Sequence, residues 1–224
     1  LDDKIESNRR IAEILPEFIR TSVNRWLANG GDLVQVSSLA AFVNGGAYTK
    51  GATGTGRMVI RIAELNKGPG GSTVYNDIDV PEEKTARPGD ILMSWSGTLD
   101  VYRWFRDEAI VNQHIFKVIP HDVPAWLVFD RLRAVISVFQ GIAKDKTTTM
   151  GHIKRSDLDT TVEVPSRGDV QAMDRELGPL WDRWLIAERE TLRLIALRDA
   201  LLPELLAGRI RVADAADVVA EATA

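Results

Sequence analysis

The side chains with the most chemistry to offer gather in one stretch. A strand-like run, Gly89-Asp90-Ile91-Leu92-Met93, breaks into Ser94-Trp95-Ser96-Gly97-Thr98, a small-residue turn rich in hydroxyls. Tyr102-Arg103-Trp104 follow, and a second strand-like run opens with Asn112-Gln113-His114 before Ile115-Phe116-Lys117-Val118. Hydroxyls, an arginine, two amides and an imidazole suit the hydrogen-bonded reading of an ordered polar partner. They do not make the acid, base and nucleophile set of a hydrolase. A second cluster occupies residues 144–155, where Lys144, Lys146, Lys154 and Arg155 face one acid, Asp145, in a chain of net charge -4.

Other chemistries are excluded by type and spacing. The glycine-rich run from 45 to 56 has no Gly-Lys-Ser/Thr ending and no G-x-G-x-x-G before a helix, so it reads as a surface loop. His114, His121 and His152 are far apart and no H-E-x-x-H occurs, so no metal site is assigned. No G-x-S-x-G elbow appears. The pairs Asp77/Asp79 and Glu82/Glu83 read as solvated loop charge. The Asp/Asn-Pro-Pro-aromatic motif of amino-methyltransferases is missing as well, so no catalytic residue is assigned. With no cysteine there is no disulfide and no cysteine-ligated zinc, which favours a cytoplasmic home. No apolar run approaches the ~20 residues that cross a bilayer. A pI near 5.5 weighs against a generic nucleic-acid coat but leaves room for a local basic patch.

Three elements must position these residues. Over 2–27, Ile5, Ile11, Leu15, Phe18, Ile19, Val23 and Trp26 recur at helical spacing; Pro16 implies either a kink or the start of a second helix. Asn29-Gly30-Gly31 ends this segment. Residues 32–165 alternate short apolar runs with turns: 59–62, 91–93 and 115–119 read as strands, and 124–141 as a helix. Residues 169–207 form a long amphipathic helix, with Gly208 as its terminator. Its leucine and tryptophan stripe follows coiled-coil spacing and wants a partner helix; Trp181, Trp184, Leu201 and Leu205 are its expected interface anchors. The fold class is α/β (α+β), a mixed domain with a curved sheet flanked by long helices that form an antiparallel, coiled-coil-like spacer. Its expected parts are a spacer segment at 1–28, a middle domain at 29–167, a spacer helix at 168–208 and a flexible tail at 209–224. Beginning at Leu1, inside a helix, the chain reads as a piece of a longer protein.

The helix–domain–helix plan and four segments in order resemble the specificity (S) subunit of type I restriction–modification systems. Leu1-Asp2-Asp3-Lys4-Ile5-Glu6-Ser7-Asn8-Arg9-Arg10-Ile11 is similar to the end of that family's central helical region. The stretches 89–97, 102–104 and 112–118 are similar to its target-recognition domain. Thr147-Thr148-Thr149-Met150-Gly151-His152-Ile153-Lys154-Arg155 is similar to the exit loop, and Leu197-Arg198-Asp199-Ala200-Leu201-Leu202-Pro203-Glu204-Leu205-Leu206-Ala207-Gly208 to the distal helix end. A complete S subunit holds two recognition domains; this chain holds one and is similar to the C-terminal half.

The resemblance implies a non-catalytic protein that reads one half of a split sequence in double-stranded DNA. Its helices would dock modification subunits, which methylate adenine with S-adenosylmethionine; the chain itself would carry no cofactor. A restriction subunit would join for cleavage. Two half-subunits could pair as a homodimer around a two-fold axis, and no membrane is involved. The expected DNA contacts are Ser94, Ser96, Arg103 and Gln113, with Lys144, Lys146, Thr147, Thr148, Thr149, His152, Lys154 and Arg155 as the phosphate-binding set and Lys50 as an outlying cation. Each has a plainer reading: hydroxyls bonding their own turn, a strand-end arginine, an internal hydrogen-bond set, a solvated loop. A second function class stays open, a helical scaffold or inhibitor-like module that binds protein without sequence readout.

Overall fold

The structure, a computed structural model, describes residues 1–145 and 151–223. The chain divides into two compact units, Phe18–Pro179 and a second formed by Leu1–Glu17 with Leu180–Ala224. The expected boundaries at 28 and 168 instead follow the ends of secondary-structure elements.

Helix α1 (Asp2–Leu27) runs through Pro16 as one element, so neither a second helix nor a break is needed. After it come β1 (Asp32–Gln35), α2 (Val36–Leu39), β2 (Ala40–Asn44), β3 (Arg57–Ile60), α3 (Ile62–Lys67), β4 (Val74–Asn76) and β5 (Thr85–Ala86). The chain continues with β6 (Ile91–Ser94), β7 (Val101–Arg103), β8 (Ala109–Val111), β9 (Ile115–Pro120) and α4 (Ala125–Asp145). It ends with β10 (Thr161–Val164), α5 (Arg167–Leu206) and α6 (Val212–Thr223).

In place of one curved sheet, the described residues form three. Strands β2-β9-β6-β7 form an antiparallel sheet, β4-β3-β8-β5 a mixed one whose β3–β8 pair is parallel, and β1-β10 a two-stranded ribbon. Sequence periodicity could not separate them, because short buried strands carry no alternation: β6 and β8 are buried at every position. The core between the two larger sheets gathers Ile60, Leu92, Trp104, Val111 and Ile115. Lys117 on β9 fastens them, its ammonium donating to Thr85 O at 2.6 Å and pairing with Asp90 at 2.9 Å. Helix α4 buries Trp126, Leu127, Leu132 and Phe139, and Trp126 Nε1 donates to Asp174 on α5 at 2.7 Å. Truncating a fully enclosed ring such as Phe139 costs about 3–5 kcal/mol. The buried Asp130–Arg131 pair ties α4 to the ribbon, since Arg131 also donates to Glu163 O at 3.2 Å.

In the other unit, the start of α1 lies antiparallel to the end of α5: Lys4 and Asn8 meet Glu190 at 3.5 and 2.8 Å, while Asp2 meets Arg198 at 3.3 Å. This is the expected antiparallel helix pairing. Residues 209–224, expected as a flexible tail, instead carry α6. Gly208, at φ 66, stops α5, and Arg211 pairs with Asp214 at 2.9 Å in the first turn of the new helix. Val212, Ala215, Ala216 and Val219 give α6 an apolar face that lines an open groove with Leu201 and Leu205, which small residues and acids disguised in the sequence.

Candidate nucleic-acid interface

The register of the β2-β9-β6-β7 sheet places four chain ends together. Asn44 faces Phe116 and Ser94 faces Ile115, so β2 and β6 finish where β9 begins; Val101 opens β7 beside Met93. Gly45 lets the backbone close here, because a Cβ would lie 2.2 Å from the Val111 and Asn112 carbonyl oxygens. Residues 112–114 form the turn between β8 and β9, so the strand alternation expected for Asn112, Gln113 and His114 does not apply.

The basic segment joins this end through backbone bonds. Gly97 N donates to Gly151 O and Ile153 N to Trp95 O, both at 3.1 Å, and Ser96 bridges His152. Trp95 N reaches His114 O at 3.2 Å, which adds the β8–β9 turn. Gly97 adopts φ 65, a left-handed conformation that favours glycine. Gly151 packs so closely on α4 that a Cβ would lie 2.7 Å from Ala143 O, which brings Lys144 alongside. The structure therefore assembles Ser96, Gln113 and the cluster of Lys144, His152, Lys154 and Arg155, three separate stretches of the sequence, on one end of one sheet.

Their environments differ. Lys144, His152, Lys154 and Arg155 are exposed. Arg155 Nη2 donates to Phe42 O at 2.9 Å, along an open groove of 640 Å³ beside β2. Ser96 is 6% exposed and its hydroxyl lies 3.0 Å from His114 Nδ1. Trp95 leans on His114 and Phe116, with ring centroids 5.4 and 6.0 Å apart. Trp95 Nε1 and Gln113 Oε1 are enclosed with no hydrogen-bond partner among the described residues. Lys50 is exposed on the turn after β2. Lys146, Thr147, Thr148 and Thr149 lie outside the described residues.

Two expected contacts are corrected. Ser94 is fully buried; its hydroxyl donates to Thr98 O at 2.6 Å and accepts from Asp100 N at 2.9 Å, so it closes its own turn. Arg103 is 5% exposed and pairs with Ile91 at the far end of β6, away from the assembled loops. Trp181 and Trp184, expected as anchors for a partner, are 7% and 6% exposed and stack edge-to-face at 5.3 Å. They are enclosed within the chain itself. The sequence leaves open which of Asn112, Gln113 and His114 faces a partner; the hydroxyl–imidazole contact of Ser96 with His114 shows only once the turn is known.

No protein-family model matches the sequence, and no curated protein matches it. Solved structures do. The S subunit of a type I restriction–modification system from M. genitalium matches with a TM-score of 0.56 at 13% identity, over 90% of this chain and 54% of that one. The HsdS subunit from Thermoanaerobacter tengcongensis matches with a TM-score of 0.47 at 16% identity, over 90% and 54% of the two chains. A chain from a structure describing complex assembly and conformational transition of a type I system matches with a TM-score of 0.47 at 15% identity, over 91% and 55%. The chain has the fold of the type I restriction–modification S subunit and spans about half of that subunit's length.

Proposed function

We propose that this chain reads one half of a split duplex-DNA target as a non-catalytic specificity subunit, or half-subunit, of a type I restriction–modification enzyme. Modification subunits docked on its helices would supply the methyl transfer and bind S-adenosylmethionine; a restriction subunit would supply cleavage. The observation that carries this reading is the tie between the hydroxyl turn at 95–97 and the basic segment at 151–155, on a domain of S-subunit fold. Cations on the segment suit phosphates and would fix register, while Gln113 and His114, half-buried on the adjoining turn, would reach base edges with Ser96 supporting His114 from below.

The test uses the assembled enzyme with its modification subunits. Lys144→Ala with Lys154→Ala is expected to weaken duplex binding across sequences and to lower the slope of log K against log salt by roughly 1.8, about 0.9 per phosphate contact. A genome-wide map of methylated adenine in cells with the intact system gives the half-site directly. A methylation map that stays the same when this chain is deleted overturns the proposal. Assembly with modification subunits but no sequence preference would favour the protein-binding scaffold.

A further inference from the structure

Beside α3 stands an arginine with no counter-charge among the described residues. Arg106 lies in the loop after β7, its guanidinium 5.2 Å from the Phe105 ring centroid and packed over Gly68. A Cβ on Gly68 would sit 2.7 Å from its Nη2, and Gly68 adopts φ 72. No carboxylate or carbonyl engages this guanidinium among the described residues, and burial alone pulls its pKa below the ordinary arginine value. A half-buried cation without a counter-charge is unfavourable in the isolated chain. Elsewhere the chain pairs comparable arginines: Arg57 meets Glu108 at 2.9 Å and Arg61 meets Glu64.

An open turn adjoins Arg106. Gly68, Gly70 and Gly71 form it; at Gly70 and Gly71 a Cβ would meet nothing within 4 Å. That turn is held still from beneath. Arg61 donates to Ser72 O at 2.7 Å, Thr73 accepts from Gly70 N at 2.7 Å, and Glu64 receives both Arg61 and Thr73. Lys67 is exposed at the end of α3. The other end of α3 abuts the interface described above, Ile62 Cδ1 lying 3.7 Å from where a Gly97 Cβ would be. A six-residue helix spans about 9 Å, so the turn continues that surface rather than starting another.

We infer that Arg106, laid over Gly68 and flanked by Lys67, is a second phosphate contact for the DNA backbone. This rests on the DNA-reading role proposed above. The phosphate supplies the counter-charge that the fold withholds, and the bare glycines let the backbone approach.

Binding of the assembled enzyme to a target duplex and to an unrelated duplex tests it. Arg106→Gln is expected to weaken both by about fivefold, with the salt slope lowered by roughly 0.9. Arg106→Lys is expected to restore most of the loss, because a phosphate accepts a point charge where a base edge requires the fork. Wild-type affinity and slope in Arg106→Gln would overturn the assignment, as would a loss confined to the target duplex. If the wild-type assembly binds neither duplex, the DNA-reading role itself fails.

Discussion

The β6–β7 pair and the segment at 151–155 carry similar side chains and use them oppositely. Ser94 and Arg103 sit on two paired strands, an inner one and the edge one of the same sheet, and are enclosed, the serine by its own turn. Lys154 and Arg155 follow an irregular stretch that joins the end of the same sheet through backbone bonds; both side chains are exposed, and Arg155 reaches back to Phe42 O. Residue type does not decide which hydroxyl or cation meets a ligand. What decides it is whether the backbone spends its own hydrogen bonds on the sheet's interior or at its rim.

The sharpest way to break this contrast is at Arg103. Arg103→Ala removes a buried charged group and is expected to lower the unfolding free energy by about 3–5 kcal/mol, measured by denaturant titration. DNA affinity of the folded fraction should not change. A loss of stability under about 1 kcal/mol would mean that the arginine is not built into the core. Next in size is Ser94→Ala, which leaves Asp100 N without its acceptor and should cost about 1–2 kcal/mol. The matching change at the rim, Lys154→Ala, should leave the unfolding free energy within about 0.5 kcal/mol while weakening duplex binding. Equal stability losses at Ser94 and Lys154 would erase the distinction.

The smallest effect is acid sensitivity, and it sets two buried carboxylates against each other. Burial pushes the Glu64 carboxyl up, but hydrogen bonds from Arg61 and Thr73 outweigh it and hold the group below the ordinary carboxylate value. Its contribution is therefore present above that ordinary value and lost as pH falls through the lower, folded one. Asp130 goes the other way: burial raises it despite Arg131. Its ionised form costs stability, and that cost is relieved as pH falls through its raised value. Amide exchange below the carboxylate range should accelerate first at Gly68 and Gly70, not in α4. Earlier opening of α4 would reverse the assignment.

The long helices were legible because their apolar stripes repeat over many turns; α5 was placed within two residues at its start and one at its end. The helix at 125–145 and the strands holding 59–60, 91–93 and 115–119 were legible too. The partition into three sheets was not, since β5, β7 and β8 have two or three residues each and no period to read. At the interface, the basic segment and the hydroxyl turn could be named separately. Their meeting depends on the pairing of Ser96 with His152, 56 positions away in the chain, and nothing local encodes it. Arg106 was not legible for a related reason: that no counter-charge reaches it among the described residues is a property of the folded surroundings.

Lys117 gives the molecule an internal standard. The residue is 7% exposed and its amine is committed to Thr85 O and Asp90, whereas Lys50 and Lys154 are exposed. In an acylation footprint, Lys117 stays unmodified as long as the two larger sheets remain joined, whatever happens at the rim. Loss of labelling at the exposed lysines upon adding duplex then reports occupancy, and any labelling of Lys117 reports that the sheets have come apart.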